Sequence, residues 1–334
     1  MRMDYPSNTT SECSFATILS ERLSDVDILG YPLKNLTTMR VGGPAKYFIN
    51  VKKEKNLIKA AKWADKNKIK RYIIGEGSNL IPNDKGFNGL IIKNEIKNFK
   101  RNGSRIYAGA GNNLLAFIYR LNRLGLAGME KMAGIPGTIG GAIYGSAGAY
   151  GQEIKDCLIR VKIFDGRKLG WLSKKQCQFS YRESIFKKKM EWAIVGAEFK
   201  FKKGGPKKLQ KTSKETIKLR EKKYWPGLLC PGSFFKNIVV KNIKPVKLRE
   251  KFLKKIDKDK VMYGKVPAGY VLELVGAKEM KCGNIKVAKH HGNLIYNSGE
   301  GKTSDIEKLA KVLKMKVKKR FGIELEEEIQ YLGP

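Results

Sequence analysis

Apolar positions along the chain alternate between two periods. In NLIKAAKWADKNKI (56–69), Leu57, Ala60, Ala61 and Ala64 share one face at helical spacing, which predicts a helix. Short apolar runs flank it. RYIIG (71–75) and LIIK (90–93) read as strands, and MRVGGPAKYFINV (39–51) as a strand broken by a Gly-Gly turn. EGSNLIPNDKGFNG (76–89) is crowded with turn residues and predicts a loop. RIYAGAG (105–111) reads as another strand, followed by the amphipathic helix NLLAFIYRLNRLG (113–125), which Gly125 stops. This alternation predicts an α/β first half.

Strand patterns return in LIRVKIFD (158–165), KLGWLS (168–173) and WAIVGAEFKF (192–201). Periodicity then vanishes over FKKGGPKKLQKTS (201–213), which reads as a linker with a domain boundary near Gly204. Helices are expected at SKETIKLREKKYW (213–225), VKLREKFLKKI (246–256) and AGYVLELVGA (268–277). A long helix begins near Ser304, where Ser304 and Glu307 have capping-box spacing and Ile306, Leu309 and Leu313 carry the apolar face. The closing run IELEEEIQYL (323–332) reads as a strand with Ile323, Leu325, Ile329 and Tyr331 on one face and Glu324, Glu326 and Glu328 on the other, Glu327 interrupting the first.

Composition narrows the function. With 334 residues the chain is long enough for two or three modest domains. The 68 Lys and Arg against 31 Asp and Glu give a net charge of +37. The lysines are scattered rather than gathered in a tail and no nucleic-acid motif accompanies them, so the charge reads as a solvated surface that would also favour small anionic ligands. Five cysteines without a CxxC pair indicate a reducing compartment and neither a disulfide framework nor a zinc site. His290 and His291 are the only histidines, which excludes a His-rich metal cluster. The first residues, MRMDYPSNTTSECSF, have no apolar core of a signal peptide and are expected to be poorly ordered. A cytoplasmic protein is expected.

One stretch stands apart. AGIPGTIGGAIYGSAGAYGQ (133–152) carries no charge in a chain that is 30% charged. Its glycines, Pro136 and scarcity of large apolar residues make it a poor membrane span. RVGGPA and GEGSNL are also glycine-rich and, like it, lie next to predicted strands. Glycine lets successive amides approach an anion without a Cβ in the way, so three such loops suit a large phosphorylated ligand. GxxxxGK[ST] is absent, and GAGNNL at Gly109 lacks the third glycine of a dinucleotide fingerprint.

Seven segments, TTMRVGGPAKYFI, GEGSNLI, AGIPGTIGGAIYGSAGAYG, FSYRESIFK, PGSFFKN, VPAGYVLELVGAKEM and GIELEEEIQYLG, occur in the order seen in the UDP-N-acetylenolpyruvoylglucosamine reductase (MurB) family, and the likeness runs from about Leu33 onward. The resemblance implies an α+β protein: a vanillyl-alcohol-oxidase-type (PCMH-like) FAD-binding domain over 33–203 and an α/β substrate-binding domain over 204–334, after an N-terminal extension over 1–32. It implies non-covalent FAD, with NADPH and a UDP-sugar enolpyruvyl ether meeting the flavin in turn, in a monomer of peptidoglycan precursor synthesis that neither inserts into membranes nor binds nucleic acid. Flavin-site residues would be Val41, Gly42, Gly43, Gly75, Gly77, Ser78, Asn79, Leu80, Gly134, Ile135, Pro136, Gly137, Gly140 and Gly141.

Reducing an enol ether beside a carboxylate needs a hydride, stabilisation of the enolate and a proton for the α-carbon. By the resemblance, Ser233 is the proton donor, Arg182 steadies the carboxylate and Glu328 is the catalytic glutamate. The residues alone leave other readings open: Ser233 shaping a turn, Arg182 pairing with Glu183, Glu328 as one carboxylate among several. Tyr181, Lys223, Lys236, Asn237 and His291 match substrate-binding positions, with a tolerated surface histidine equally open for His291. The short span from Arg182 to Ser233 resembles the subtype without a tyrosine-loop insertion, whereas residues 238–265 lengthen the next segment. Gln330 stands where the family commonly has arginine. Two other functions fit parts of the chain: a flavin oxidase of the same fold, and a basic nucleic-acid-binding protein.

Overall fold

The computed structural model describes residues 29–333. The expected disorder of the N-terminal extension therefore falls largely outside the described residues. Leu29–Pro32, assigned to that extension, is instead an edge strand antiparallel to Pro44–Val51, with Leu29 opposite Tyr47. Pro44–Val51, Phe87–Asn94 and Arg71–Ile74 continue the sheet in parallel. The Glu54–Lys66 helix makes the crossover a parallel pair requires. Its Leu57, Ala60, Ala61 and Ala64 are fully buried, as their spacing predicts, in one cluster with Ile49, Leu90 and Ile92.

A second sheet is antiparallel throughout, in the order Leu169–Ser173, Leu158–Phe164, Ala193–Lys200, Arg105–Gly109, Phe99–Asn102. The α/β expectation thus holds for the first sheet and fails for the second. The Leu114–Arg123 helix joins this sheet's core through Phe117, Ile118 and Leu121, and the Asn113 side chain caps it by accepting from the Ala116 amide at 3.0 Å. A third, three-stranded sheet (Lys281–Cys282, Ile285–Ala288, His291–Asn297) shares a core with the helices Ala268–Leu274 and Thr303–Phe321 and with Phe234, Phe235 and Phe252. No helix among the described residues is long and apolar enough to cross a membrane.

The linker reading is wrong. Pro206–Glu221 is a 16-residue helix with Pro206 in its first turn, where a missing amide hydrogen costs nothing. Its buried face is Leu209, Ser213 and Thr216. The Ser213 hydroxyl donates to the Glu130 carbonyl at 3.0 Å and accepts from the Asn122 amide at 2.8 Å. A face settled by hydrogen bonds leaves no apolar stripe, so hydrophobic periodicity could not reveal it. Because this helix packs on the first half, the change of core comes after it rather than near Gly204.

The long helix begins at Thr303, and the Ser304–Glu307 capping box does not form. The cap comes from far away in sequence: the Asp84 carboxylate accepts from the Thr303 amide at 2.7 Å and from the Ser304 amide at 3.0 Å. Burial raises the Asp84 pKa, but these amides outweigh it and hold the carboxyl below its usual value. Asp84→Ala is expected to lower stability by about 1 kcal/mol at neutral pH, measured by denaturant unfolding. A depressed carboxyl stabilises the fold above its unfolded pKa. The difference between the wild-type protein and this variant should therefore shrink as pH falls below about 4 and Asp84 takes up its proton.

The closing strand is shorter than expected. Only Gln330–Leu332 is a strand, pairing in parallel with Leu80–Pro82. Leu332 enters the core and Tyr331 stays 36% exposed. The alternation breaks because the chain first follows Phe234–Lys236: the Lys236 amide donates to the Glu326 carbonyl and the Glu328 amide to the Phe234 carbonyl, both at 2.8 Å.

Candidate active site

Two glycine loops form one wall of a cleft. Residues 75–80 leave the Arg71–Ile74 strand, and 135–138 lead into the short Ile139–Tyr144 helix. The Ser78 hydroxyl ties them together, donating to the Pro136 carbonyl at 3.2 Å. Gly77 has φ +62°, and a Cβ there would lie 1.9 Å from the Leu36 carbonyl oxygen, so only glycine fits. At Gly75 a Cβ would meet the Thr138 hydroxyl at 2.4 Å, and at Gly140 the Ala110 Cβ at 2.9 Å. By contrast, nothing lies within 4 Å of a Cβ at Gly232, and the nearest atom to one at Gly141 is 3.6 Å away. Side chains missing there leave room in the cleft.

Gly75, Gly77, Ser78, Asn79, Leu80, Ile135, Pro136, Gly137, Gly140 and Gly141 all line this cleft. Val41, Gly42, Gly43 and Gly134 do not. Val41 is buried in the C-terminal core. A Cβ at Gly42 would meet Pro82 at 2.6 Å and one at Gly43 the Asp84 carbonyl at 2.3 Å, so this pair serves contact with the chain's own loop. The Gly134 carbonyl accepts from Arg220 Nε at 3.0 Å.

Arg182, Ser233 and Glu328 line the same cleft. Arg182 donates from Nη2 to the Gly148 carbonyl at 2.9 Å, and its Nε lies 2.7 Å from Glu328 Oε1. That N–H points off the line to the carboxylate, so the contact is an ion pair without an aligned hydrogen bond, and Nε stays buried and unsatisfied. Glu183 does not compete for Arg182; it binds Lys236 at 2.7 Å and Lys187 at 3.5 Å. The three consecutive glutamates separate cleanly. Glu326 pairs with Lys236 at 3.1 Å, Glu327 with Lys314 at 2.5 Å, and Glu328 alone of the three lines the cleft.

Ser233 has a neighbour the sequence reading missed. Its hydroxyl is 2.9 Å from that of Tyr224, which lines the cleft together with Arg220. The Arg220 guanidinium is 5.5 Å and the Lys223 ammonium 4.8 Å from the centre of the Tyr224 ring. Burial pushes the Tyr224 phenol up to about 12. Burial, reinforced by Arg220, pulls Lys223 down to about 8. The four-residue spacing of Arg220 and Tyr224 on the predicted 213–225 helix was the available signal.

The remaining residues sit behind the cleft and do not line it. The Tyr181 hydroxyl accepts from the Asn237 amide at 3.2 Å, and Asn237 Oδ1 accepts from the Ala268 amide at 3.2 Å. Burial opposes the charge of Lys236, yet its bonds to Glu183 and Glu326 hold its pKa above the usual value. Burial and the nearby Lys223 lower His291 to about 4, so it is neutral, with Nδ1 accepting from the Asn293 amide at 3.0 Å. Lys223 does not line the cleft; it meets it through the Tyr224 ring and through the charges of Arg220 and Glu328.

Residues 227–332 match the family model for the UDP-N-acetylenolpyruvoylglucosamine reductase C-terminal domain, and residues 45–167 match an FAD binding domain. The reductase of Solibacter usitatus (strain Ellin6076) is 40% identical over 302 residues, covering 90% of this chain and 95% of that protein. The reductase of Carboxydothermus hydrogenoformans (strain ATCC BAA-161 / DSM 6008 / Z-2901) is 33% identical over 321 residues, covering 94% and 97%. Among solved structures, MurB from Thermus caldophilus aligns with a TM-score of 0.72 at 25% identity, over 92% of this chain and 99% of that one. These matches bear out the α+β reading, a PCMH-like FAD-binding domain followed by a second domain. They span both halves and the cleft, and the chain belongs to the UDP-N-acetylenolpyruvoylglucosamine reductase family.

Proposed function

We propose that this cleft reduces the enolpyruvyl ether of UDP-N-acetylglucosamine to the lactyl ether of UDP-N-acetylmuramate, with FAD along the glycine wall and NADPH as reductant. The observation that carries the reading is the convergence of Ser233, Arg182 and Glu328 on a cleft walled by two glycine loops. FAD fits that wall: nothing lies within 4 Å of a Cβ at Gly232, and a Cβ at Gly141 would meet only the Thr138 hydroxyl, at 3.6 Å, so the backbone there is free to lie against a ligand. The wall residues Gly75, Gly77, Ser78, Asn79, Leu80, Ile135, Pro136, Gly137, Gly140 and Gly141 would hold it. When bound, FAD supplies the hydride that NADPH delivers.

The protein's own groups do the rest. Arg182, anchored by the Gly148 carbonyl and Glu328, steadies the substrate carboxylate as enolate charge grows. Ser233 holds the proton for the α-carbon. Glu328 orients Arg182 and balances its charge. Lys236, Asn237 and Tyr181 act from behind as a hydrogen-bonded support, and Lys223 and His291 flank the Tyr224 side. The chain is of the subtype without the tyrosine loop: between Arg182 and Ser233 it has only a short helical turn, the Ala193–Lys200 and Lys202–Lys203 strands and the Pro206–Glu221 helix. It works as a monomer in the cytoplasm.

The test is direct. Purified protein should show a flavin absorbance spectrum and oxidise NADPH rapidly only when UDP-N-acetylglucosamine enolpyruvate is present. A protein that takes up no FAD overturns the proposal, and rapid NADPH oxidation that needs oxygen but no UDP-sugar favours the oxidase reading instead.

A further inference from the structure

Ser233 presents a chemical difficulty that its own side chain does not solve. A serine hydroxyl is a weak acid, and once it has given its proton to carbon it is left as a strongly basic alkoxide in the cleft. A second donor within hydrogen-bond reach is required, and Tyr224 is there at 2.9 Å. The two residues come from different segments. Tyr224 follows the Pro206–Glu221 helix, with its amide on the Arg220 carbonyl at 2.7 Å, whereas Ser233 precedes Phe234, whose amide donates to the Asn293 carbonyl at 3.2 Å. Their meeting is made by the fold.

Resting on the reaction proposed above, we infer that Tyr224 is the positioning residue and proton source for Ser233. In the resting cleft the phenol donates to Ser233 Oγ, which turns the serine O–H towards substrate. In the reaction the Ser233 O–H bond breaks as the substrate α-carbon–H bond forms. The Tyr224 O–H proton passes to Ser233 Oγ, leaving a phenolate. Arg220 and Lys223, 5.5 and 4.8 Å from the ring centre, offset that charge. The phenolate then recovers its proton from water in the cleft. No oxidant or further reactant is needed.

Tyr224→Phe in the FAD-loaded enzyme tests this, because it deletes one oxygen and keeps the ring between its cations. Stopped-flow absorbance should show flavin reduction by NADPH within about twofold of wild type, and reoxidation by the UDP-sugar slowed by about 100-fold. Substrate affinity by calorimetry and the melting temperature should be unchanged, which a merely structural role would not give. In a Ser233→Ala background the same substitution should have no further effect, since Tyr224 acts through Ser233. Reoxidation at the wild-type rate in Tyr224→Phe overturns the inference, as does a double variant in which the two losses multiply. Wild-type enzyme that the UDP-sugar does not reoxidise would instead defeat the underlying reaction, so the two failures are distinct.

Discussion

Ser233→Ala is expected to lower product formation by about 10²- to 10⁴-fold, the range for loss of a positioned acid, while NADPH still bleaches the flavin at close to the normal rate. The substitution is small. It leaves the Tyr224 hydroxyl without its partner, which costs only about 1 kcal/mol and does not explain a loss of that size. Neither does misfolding, because Phe234 and Phe235, the adjacent anchors of the C-terminal core, are untouched and fully buried. The decisive comparison is between the half-reactions, followed separately by flavin absorbance. Slowing confined to reoxidation assigns Ser233 to proton delivery. Equal slowing of both refutes that role.

Arg182→Ala should cost about 10²- to 10³-fold in kcat, the usual loss on removing one group that stabilises a developing oxyanion. The argument rests on how firmly the guanidinium is held. One nitrogen is tied to the Gly148 carbonyl at 2.9 Å, another lies 2.7 Å from the Glu328 carboxylate, and its backbone has φ +58°. Such anchoring means little reorganisation as charge develops. Removing Arg182 also strands Glu328 as an unpaired carboxylate in the cleft, adding repulsion against an anionic substrate, so KM should rise as well. Arg182→Lys should recover only part of the loss, since an ammonium has no planar fork to reach Gly148 and Glu328 together. Steady-state kinetics of the two variants provide the check, and an unchanged kcat in Arg182→Ala would remove the residue from the mechanism.

Local signals in the sequence were reliable where the physics was local. The 56–69 helix was legible because an alanine-rich stripe buries against a sheet, and the glycine loops because close backbone approach demands glycine. Position 77 is the clearest case, since no other residue fits against Leu36. What could not be read depended on distant partners. The Pro206–Glu221 helix buries Ser213, matched by Asn122 and Glu130, a pairing invisible in its own pattern. The cap on Thr303 is an aspartate 219 residues earlier. Ser233, Arg182 and Glu328 could be named from the order of motifs, but their shared cleft, the separate fates of Glu326, Glu327 and Glu328, and the contact of Tyr224 with Ser233 exist only in three dimensions. Gly42 and Gly43 show another side of this: their own pattern did not reveal that a Cβ at either position would meet Pro82 or Asp84.

The parallel pairing of Leu80–Pro82 with Gln330–Leu332 has a consequence for how the enzyme is made. The Asn79 side chain donates to the Glu328 carbonyl at 2.9 Å, and the Asn79 backbone carbonyl accepts from the Gln330 amide at 2.9 Å, joining positions 249 and 251 residues apart. During synthesis the glycine loop leaves the ribosome long before the segment that braces it, and at about 5–20 residues per second that interval lasts tens of seconds or less. Throughout it the nascent chain has a glycine loop with no brace and no Glu328 beside it. Bracing of the glycine loop and placement of Glu328 beside it are thus one late event, made by the same closing segment.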